Sequence, residues 1–250
     1  MFVLFRVANL FEIFEGVIKM LFGTKERHKS LVFLSLLFAS VVSTGMVVVR
    51  IHYSAQGRYV FLVWNLFLAW LPFVFSWLAY RFHRKKLSLT LFGCLWLLFL
   101  PNSPYLVTDL IHIRPLGNVP LWYDAIMIFS FALTGLFLGF LSLYLMQALV
   151  VRRFGESLSW LFVLSALALS SFGVYIGRFL RWNSWDLFIQ PITLLRDITH
   201  SLLNPGLLPK MVVVSLLLTA VFTFTYVILF SLPQLSLLAE PGSGERRSTR

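Results

Sequence analysis

The chain has 250 residues, of which 59% are hydrophobic and 12% charged, and its mean hydropathy is +0.85. A soluble domain has about 45–50% apolar and about 25% charged residues, so the composition excludes a cytosolic enzyme, a disordered chain and a secreted disulfide scaffold. The net charge of +11 sits in short basic clusters between apolar runs. Such clusters orient a membrane protein and meet anionic lipid head groups, so we expect membrane lipids and no nucleic acid as partners.

The first segment, residues 1–24, places polar side chains every three or four positions among apolar ones. Four of these polar residues are charged, namely Arg6, Glu12, Glu15 and Lys19. Charges at this density argue against a deep span, and the periodicity predicts an amphipathic helix that lies in the membrane interface. An imperfect seventh span is the alternative.

Six apolar stretches follow, and each is long enough for the helix of about 20 residues that crosses about 30 Å of hydrocarbon. We therefore expect an all-α, polytopic transmembrane bundle of about six spans over residues 25–232, with a disordered cytoplasmic tail over residues 233–250. The predicted spans are roughly Leu31–Val49, Tyr59–Tyr80, Leu87–Ile113, Leu121–Val150, Leu158–Leu180 and Met211–Leu232.

The basic residues predict the orientation of these spans. Lys and Arg are in excess on the side that holds both termini and the loops after the second and fourth spans, so the positive-inside rule places both termini in the cytoplasm. All four aspartates fall on the opposite, outer side together with a run of asparagines, whereas all six glutamates fall in the N-terminal helix, the cytoplasmic loops or the tail. This sorting is typical of a polar site at the outer face.

The second and third spans carry unusual polar residues. Asn65 lies about six residues, or about 9 Å, inside the second span, where a buried amide needs hydrogen-bond partners. Pro101 and Pro104 interrupt the third span with Asn and Ser between them. Each proline removes a backbone donor, and broken backbone at this depth is tolerated only against protein or a water-filled cavity. The sequence predicts a kinked third span with its break facing the bundle interior.

Beyond the break, Asn102, Tyr105, Asp109 and His112 are spaced by three, four and three residues and therefore share one helical face. Asp109 and His112 are compatible with a metal pair, a general-base pair, or a carboxylate that orients an imidazole. Alternatively, Asp109 is a membrane-edge carboxylate near Arg114 and the prolines provide a packing kink. We assign no metal and no cofactor.

The fourth span begins with Asp124 in its first turn, where the helix dipole favours a carboxylate. This capping role alone explains the residue, although Asp124 is also available to an outer-face site. Gly135 and Gly139, further along the same span, form a pair that permits close packing of another helix.

Residues 173–188 combine small, basic and aromatic side chains at the exit of the fifth span. Gly173 and Gly177 form a second close-packing pair. Arg178 and Arg181 follow one turn apart, on the side that should be poor in positive charge, and they are costly there without partners. The acids available to pair with them are Asp109, Asp124 and Asp186.

Two arginines at this spacing, with Asn183 beside them, can clamp a phosphate or a carboxylate. The alternative is an interfacial belt, because Trp182 and Trp185 prefer the head-group level and arginine side chains extend to it. The two interpretations are compatible.

The segment after these residues, Pro191–Leu203, is predicted to form a short amphipathic helix that ends at Asn204–Pro205–Gly206. This helix would serve as a lid or lie in the interface.

Four blocks of the sequence resemble a known family: NLFLAWLPF (65–73), LWLLFLPNSPYLVTDLIHI (95–113), WYDAIMIFSFALTGLFLGFLSL (122–143) and GVYIGRFLRWNSWDL (173–187). They are similar to bacterial membrane proteins grouped as domain of unknown function 1361, over about residues 35 to 230. The resemblance implies a multi-pass protein of the bacterial inner membrane. It implies no activity, substrate or cofactor.

Three functions fit these features. The first is a protein that binds or transports a small anionic solute or a lipid head group in an outer-face polar cavity, since discontinuous helices often present polar backbone to a ligand. The second is a structural or assembly subunit that packs its glycine faces on a membrane partner protein, and the third is an intramembrane enzyme acting at the outer leaflet. We favour the first, for which the candidate ligand-binding residues are Asn65, Asn102, Tyr105, Asp109, His112, Asp124, Arg178, Arg181, Asn183 and Asp186.

Overall fold

The computed structural model describes residues 31–115 and 119–238, with side chains described as far as residue 231. The interfacial helix predicted over residues 1–24 lies outside the described residues, as do residues 239–250 of the predicted tail. Six helical segments are long and apolar enough to cross a membrane, which confirms the all-α, six-span prediction.

The helices follow the apolar stretches of the sequence closely. A 3-10 turn, Asp109–His112, and a π turn, Ile176–Leu180, extend two of them. The last helix continues to Leu238, six residues beyond the boundary predicted at residue 232. The helices of the described chain are α1 Leu31–Ser54, α2 Val60–Arg81, α3 Lys86–Phe99, α4 Asn102–Thr108, α5 Leu121–Phe154, α6 Glu156–Tyr175, α7 Asp186–Ile189, α8 Pro191–Leu203 and α9 Leu208–Leu238.

The long helix α5 is the centre of the bundle. In its most apolar stretch 61% of the residues are buried, whereas the buried share in the other five spans is at most 39%. It packs against α2, α4 and α6, and α6 in turn packs against α9. One core cluster joins α5 to α1 and α2 through residues such as Leu62 and Phe131. A second joins α5 to α3, α6 and α9 through residues such as Trp96 and Phe222. The outer helices leave large apolar side chains exposed, as expected of a surface that faces lipid.

The third span is interrupted at its prolines, as predicted, over Leu100 and Pro101, whose backbone angles stay in the right-handed helical region. Helix α3 ends at Phe99 and α4 begins at Asn102, so the backbone needs hydrogen-bond donors from elsewhere. The Asn102 amide donates to the Phe99 carbonyl at 2.9 Å, and the Ser184 hydroxyl donates to the Leu98 carbonyl at 3.1 Å. We expect Asn65 or Asn102 to satisfy the carbonyl groups that the prolines release, and Asn102 does so, whereas the Asn65 amide bonds to a carboxylate.

Two glycine pairs hold α4 in place, because their missing side chains let neighbouring helices approach it. A Cβ atom built on Gly135 of α5 would lie 2.7 Å from the Ser103 carbonyl oxygen, and one on Gly173 of α6 would lie 2.9 Å from Pro101 Cβ. Both distances are too short for a real side chain. The close-packing glycines predicted from the sequence therefore serve this chain's own broken helix.

Candidate functional site

A cavity of about 670 Å³ lies at the end of the bundle where the third and fifth spans end. Its walls are the broken third span, the end of α6 with its π turn, and the segment that leads into α7 and α8. The polar part of the lining consists of Asn65, Asn102, Tyr105, His112, Arg178, Arg181, Asn183 and Ser184.

Seven of the ten predicted ligand-binding residues line this cavity, and an eighth, Asp109, lies directly behind its wall. Asp124 and Asp186 do not line the cavity, although Asp186 bonds to the lining residue Asn183. The break at the prolines is the reason for the agreement, because it turns the face of Asn102, Tyr105 and His112 toward the bundle interior.

Asp109 is the polar centre of the wall. Its side chain is 1% exposed and forms an ion pair with Arg178, which confirms the predicted pairing of an arginine here with one of the aspartates. The Asn65 amide donates to the other carboxylate oxygen at 3.1 Å, and His112 Nδ1 lies 3.7 Å from the first. The buried charge is therefore compensated by a cation and an amide, as a buried carboxylate requires.

Arg178 is held in a fixed position by three different contacts. Besides its bond to Asp109, its Nε donates to the Thr108 hydroxyl at 2.8 Å, and the guanidinium lies 4.2 Å from the centre of the Tyr105 ring. Its remaining nitrogen, Nη1, has no hydrogen-bond partner among residues 31–115 and 119–231. Because Arg178 lines the cavity, this nitrogen is available to a ligand.

Arg181 presents a second, unneutralised guanidinium to the cavity. It is exposed, it lines the cavity, and within the part of the chain that the structure describes it pairs with no carboxylate. Its backbone is left-handed, with φ of 62°, at the end of the π turn, where the Ile176 carbonyl accepts from its amide. Helix ends of this kind usually carry glycine, and a larger residue held there is strained, which is common at functional sites.

Asp186 does not pair with either arginine. Its carboxylate accepts from the backbone amide of Asn183 at 2.7 Å and from the Asn183 side chain at 3.2 Å, so the two residues form a local turn before α7. The Trp182 indole donates to Asp197 of α8 at 3.0 Å and fastens this turn to the surface helix. Of the three aspartates available to the arginines, Asp186 is not the one used, because its carboxylate bonds to Asn183 within this turn.

Asp124 belongs to a different structure at the same end of the bundle. Both of its oxygens accept from Arg50 of α1, at 2.6 and 2.9 Å, and both side chains are 1% exposed. The Arg50 guanidinium also lies 4.4 Å from the centre of the Tyr59 ring. Asp124 therefore neither caps its helix nor reaches the cavity, because Arg50 occupies both oxygens.

Tyr59 connects the two polar regions. Its hydroxyl donates to the His112 carbonyl at 3.1 Å, while its ring covers Arg50. Burial raises the pKa of Tyr59, Asp124 acts in the same direction, and Arg50 partly opposes them. The phenol consequently stays protonated and remains a donor at neutral pH.

Sequence reasoning missed Ser184, Thr108 and Arg50. Ser184 accepts from Asn102 at 3.0 Å and so joins the break to the segment over the cavity. Nothing in the sequence distinguishes Ser184 or Thr108 from other hydroxyl residues. Arg50 does carry a signal, since it is a lone charge at the end of an otherwise apolar span and such a charge requires a partner.

Asp109 and His112 have no third ligand for a metal close by, because no group of three His, Cys, Asp or Glu side chains is gathered in the described part of the chain. The cavity instead offers guanidinium, amide, hydroxyl and imidazole groups. These groups bind oxygen-rich ligands by hydrogen bonding.

The model of the family described as "Protein of unknown function (DUF1361)" matches residues 64–228, more than half of the chain. The chain belongs to this family. The residues that line the cavity all lie between positions 65 and 194, within the match, whereas Arg50 and Tyr59 lie outside it. No curated protein and no solved structure matches the chain.

Proposed function

We propose that this membrane protein binds a ligand with a phosphate or carboxylate group in the cavity. The observation that carries the proposal is the charge of the lining: two arginines line one cavity, and of the two only Arg178 has a carboxylate partner, Asp109, among the residues that the structure describes. The Arg181 charge is left for a ligand. A guanidinium matches the planar oxygen pairs of phosphates and carboxylates with two parallel hydrogen bonds.

The size of the cavity supports a ligand larger than a simple ion. Its volume of about 670 Å³ falls within the range of about 300–1,000 Å³ that small-molecule sites occupy. The side-chain amide of Asn183 adds a hydrogen-bonding group at the same end, whereas both N–H groups of the Asn102 side chain are used within the chain. A ligand with several oxygen atoms beside its anionic group fits this lining best.

We further propose that the cavity opens on the outer side of a cell membrane, with both chain termini in the cytoplasm. The excess of Lys and Arg in the loops at the other end supports this orientation. Reporter fusions at Gly117 and at Gly155 should report opposite sides, with Gly117 outside. The same compartment at both positions would contradict the orientation.

The assembly alternative loses its main support, since Gly135 and Gly173 already pack against this chain's own α4. That alternative required the glycine faces to be free to receive another protein. The enzyme alternative rests on Asp109 and His112, but Asp109 is committed to Arg178 and Asn65. Binding is therefore the function that the geometry favours.

The proposal is tested by phosphate binding to the purified protein in neutral detergent. Inorganic phosphate should raise the Tm of the wild type, and Arg181→Ala should weaken the apparent affinity about tenfold to hundredfold, because a hydrogen bond to a charged group contributes about 1.5–3 kcal/mol. Arg196→Ala is the matched control, since Arg196 is exposed on α8 and does not line the cavity. Equal phosphate affinity in the wild type and Arg181→Ala would overturn the proposal.

A further inference from the structure

We propose that the anionic group belongs to a membrane lipid, whose hydrocarbon chain leaves the cavity between α3 and α6. This inference rests on the proposed anion site and names its ligand class. It follows from three features of the cavity: the division of its lining, its opening toward the lipid side, and its depth.

The lining is polar at one end and apolar at the other. Arg178 and Arg181 lie at the end of the fifth span, whereas Leu97 and Leu98 of α3 and Leu169 of α6 line the part that lies within the spans. A water-soluble anion would leave the apolar part filled with water, which is unfavourable. A ligand with a charged head and a hydrocarbon chain matches both parts.

The apolar part opens sideways between α3 and α6. The two helices are in contact through Trp96 and Phe162, whose rings stack at 5.6 Å. Further toward the cavity end, Leu97 and Leu169 line the cavity and are 36% and 53% exposed, so the cavity is not closed between the two helices at this level. Both leucines lie within membrane spans, where an opening between helices meets hydrocarbon rather than water.

The depth of the cavity corresponds to one leaflet. Leu169 precedes Arg181 by twelve residues, or about 18 Å along a helix at about 1.5 Å per residue. One leaflet contributes about half of the 30 Å hydrocarbon thickness, or about 15 Å. A lipid with its head group at Arg181 would therefore place its chain beside Leu169, within the leaflet that it already occupies.

The chain's single cysteine provides a probe at this opening. Cys94 is exposed on α3, one turn from Leu98, so a fluorophore attached to it lies beside the proposed course of the lipid chain. The labelled protein is placed in phosphatidylcholine nanodiscs that contain a small fraction of lipid with a nitroxide on its acyl chain. The nitroxide quenches the fluorophore only at short range. Two labelled lipids are compared, phosphatidic acid and phosphatidylcholine.

We expect phosphatidic acid to be enriched about tenfold beside Cys94 relative to phosphatidylcholine, the ratio that one charge-assisted hydrogen bond supplies. The choline cation of the second lipid is disfavoured by the positive lining. Arg181→Ala should make quenching by the two lipids equal. Equal quenching in the wild type would overturn the lipid proposal.

A second variant separates the lipid proposal from the anion site. Leu169→Trp narrows the opening and should remove the excess quenching by phosphatidic acid while inorganic phosphate still raises the Tm. Leu216→Trp, at an exposed position of α9 that does not line the cavity, is the control and should leave both results unchanged.

The two proposals fail in different ways. Binding of inorganic phosphate that depends on Arg181, together with equal quenching by the two lipids, overturns the lipid proposal and leaves the anion site standing. Absence of both effects overturns both proposals. Excess quenching that persists in Arg181→Ala assigns the lipid to another surface and overturns the inference.

Discussion

Two arginine–aspartate pairs lie at the same end of the bundle and differ in what they offer to a ligand. In the sealed pair, Arg50–Asp124, both side chains are 1% exposed and both carboxylate oxygens accept from the one guanidinium. In the open pair, Arg178–Asp109, the arginine is 10% exposed and borders the cavity. In the first pair the Arg50 guanidinium bonds to both carboxylate oxygens, whereas in the second Nη1 of Arg178 has no partner within the described part of the chain.

The difference arises from the backbone around each pair. Arg50 and Asp124 face each other between two regular helices, α1 and α5, whose apolar side chains close around them. Asp109 follows the interrupted third span, Arg178 lies in a π turn, and a cavity lies between these two irregular segments. Irregular backbone thus converts the same pair of residue types from a structural contact into part of a site.

The largest effect is expected when the sealed pair is broken. Arg50→Ala should lower the free energy of unfolding by about 3–5 kcal/mol, because it leaves the Asp124 charge buried without compensation. Denaturant unfolding in detergent measures this loss. Arg84→Ala is the control, since Arg84 is exposed in the loop between α2 and α3. Similar stability of the two variants would show that water reaches Asp124 and would remove the contrast between the pairs.

Much of this arrangement could be predicted from the sequence because it depends on local patterns. Span positions follow from apolar length and the interruption of the third span from two prolines, although the interruption covers only Leu100–Pro101. Helix α8 follows from its amphipathic period, and the structure places it at the predicted bounds. The cost of a lone charge at a span edge predicted that Arg178 or Arg181 would pair with one of three aspartates, and the structure pairs Arg178 with Asp109.

The remaining features depend on contacts between distant parts of the chain. Arg50 and Asp124 are 74 positions apart, and composition alone does not show which aspartate a given arginine meets. The Ser184 bond to the Leu98 carbonyl spans 86 positions and involves a common residue type. The left-handed backbone of Arg181 has no sequence signal, because glycine, which usually marks that conformation, is absent at this position.

An intermediate loss of stability is expected for a substitution at Gly173, which should disturb the cavity beside the open pair and leave the sealed pair intact. A Cβ atom there would collide with Pro101, so Gly173→Ala should cost about 1–3 kcal/mol by overpacking and should also weaken phosphate binding. Gly45→Ala on α1, the helix of Arg50, is the matched control. No atom lies within 4 Å of its added Cβ, and alanine favours a helix interior by about 1 kcal/mol, so this variant should be slightly more stable.

The smallest effect concerns Arg181, and it separates binding from stability. A left-handed backbone costs a non-glycine residue about 1–2 kcal/mol, a strain that Arg181→Ala retains and Arg181→Gly removes. Glycine also gains freedom in the unfolded chain, which offsets part of the relief. We therefore expect Arg181→Gly to be about 1 kcal/mol more stable than Arg181→Ala, while both variants bind inorganic phosphate equally weakly. Thermal unfolding with and without phosphate measures both quantities. If glycine brings no gain over alanine, the backbone at position 181 is unstrained, and strain no longer supports a functional role for Arg181.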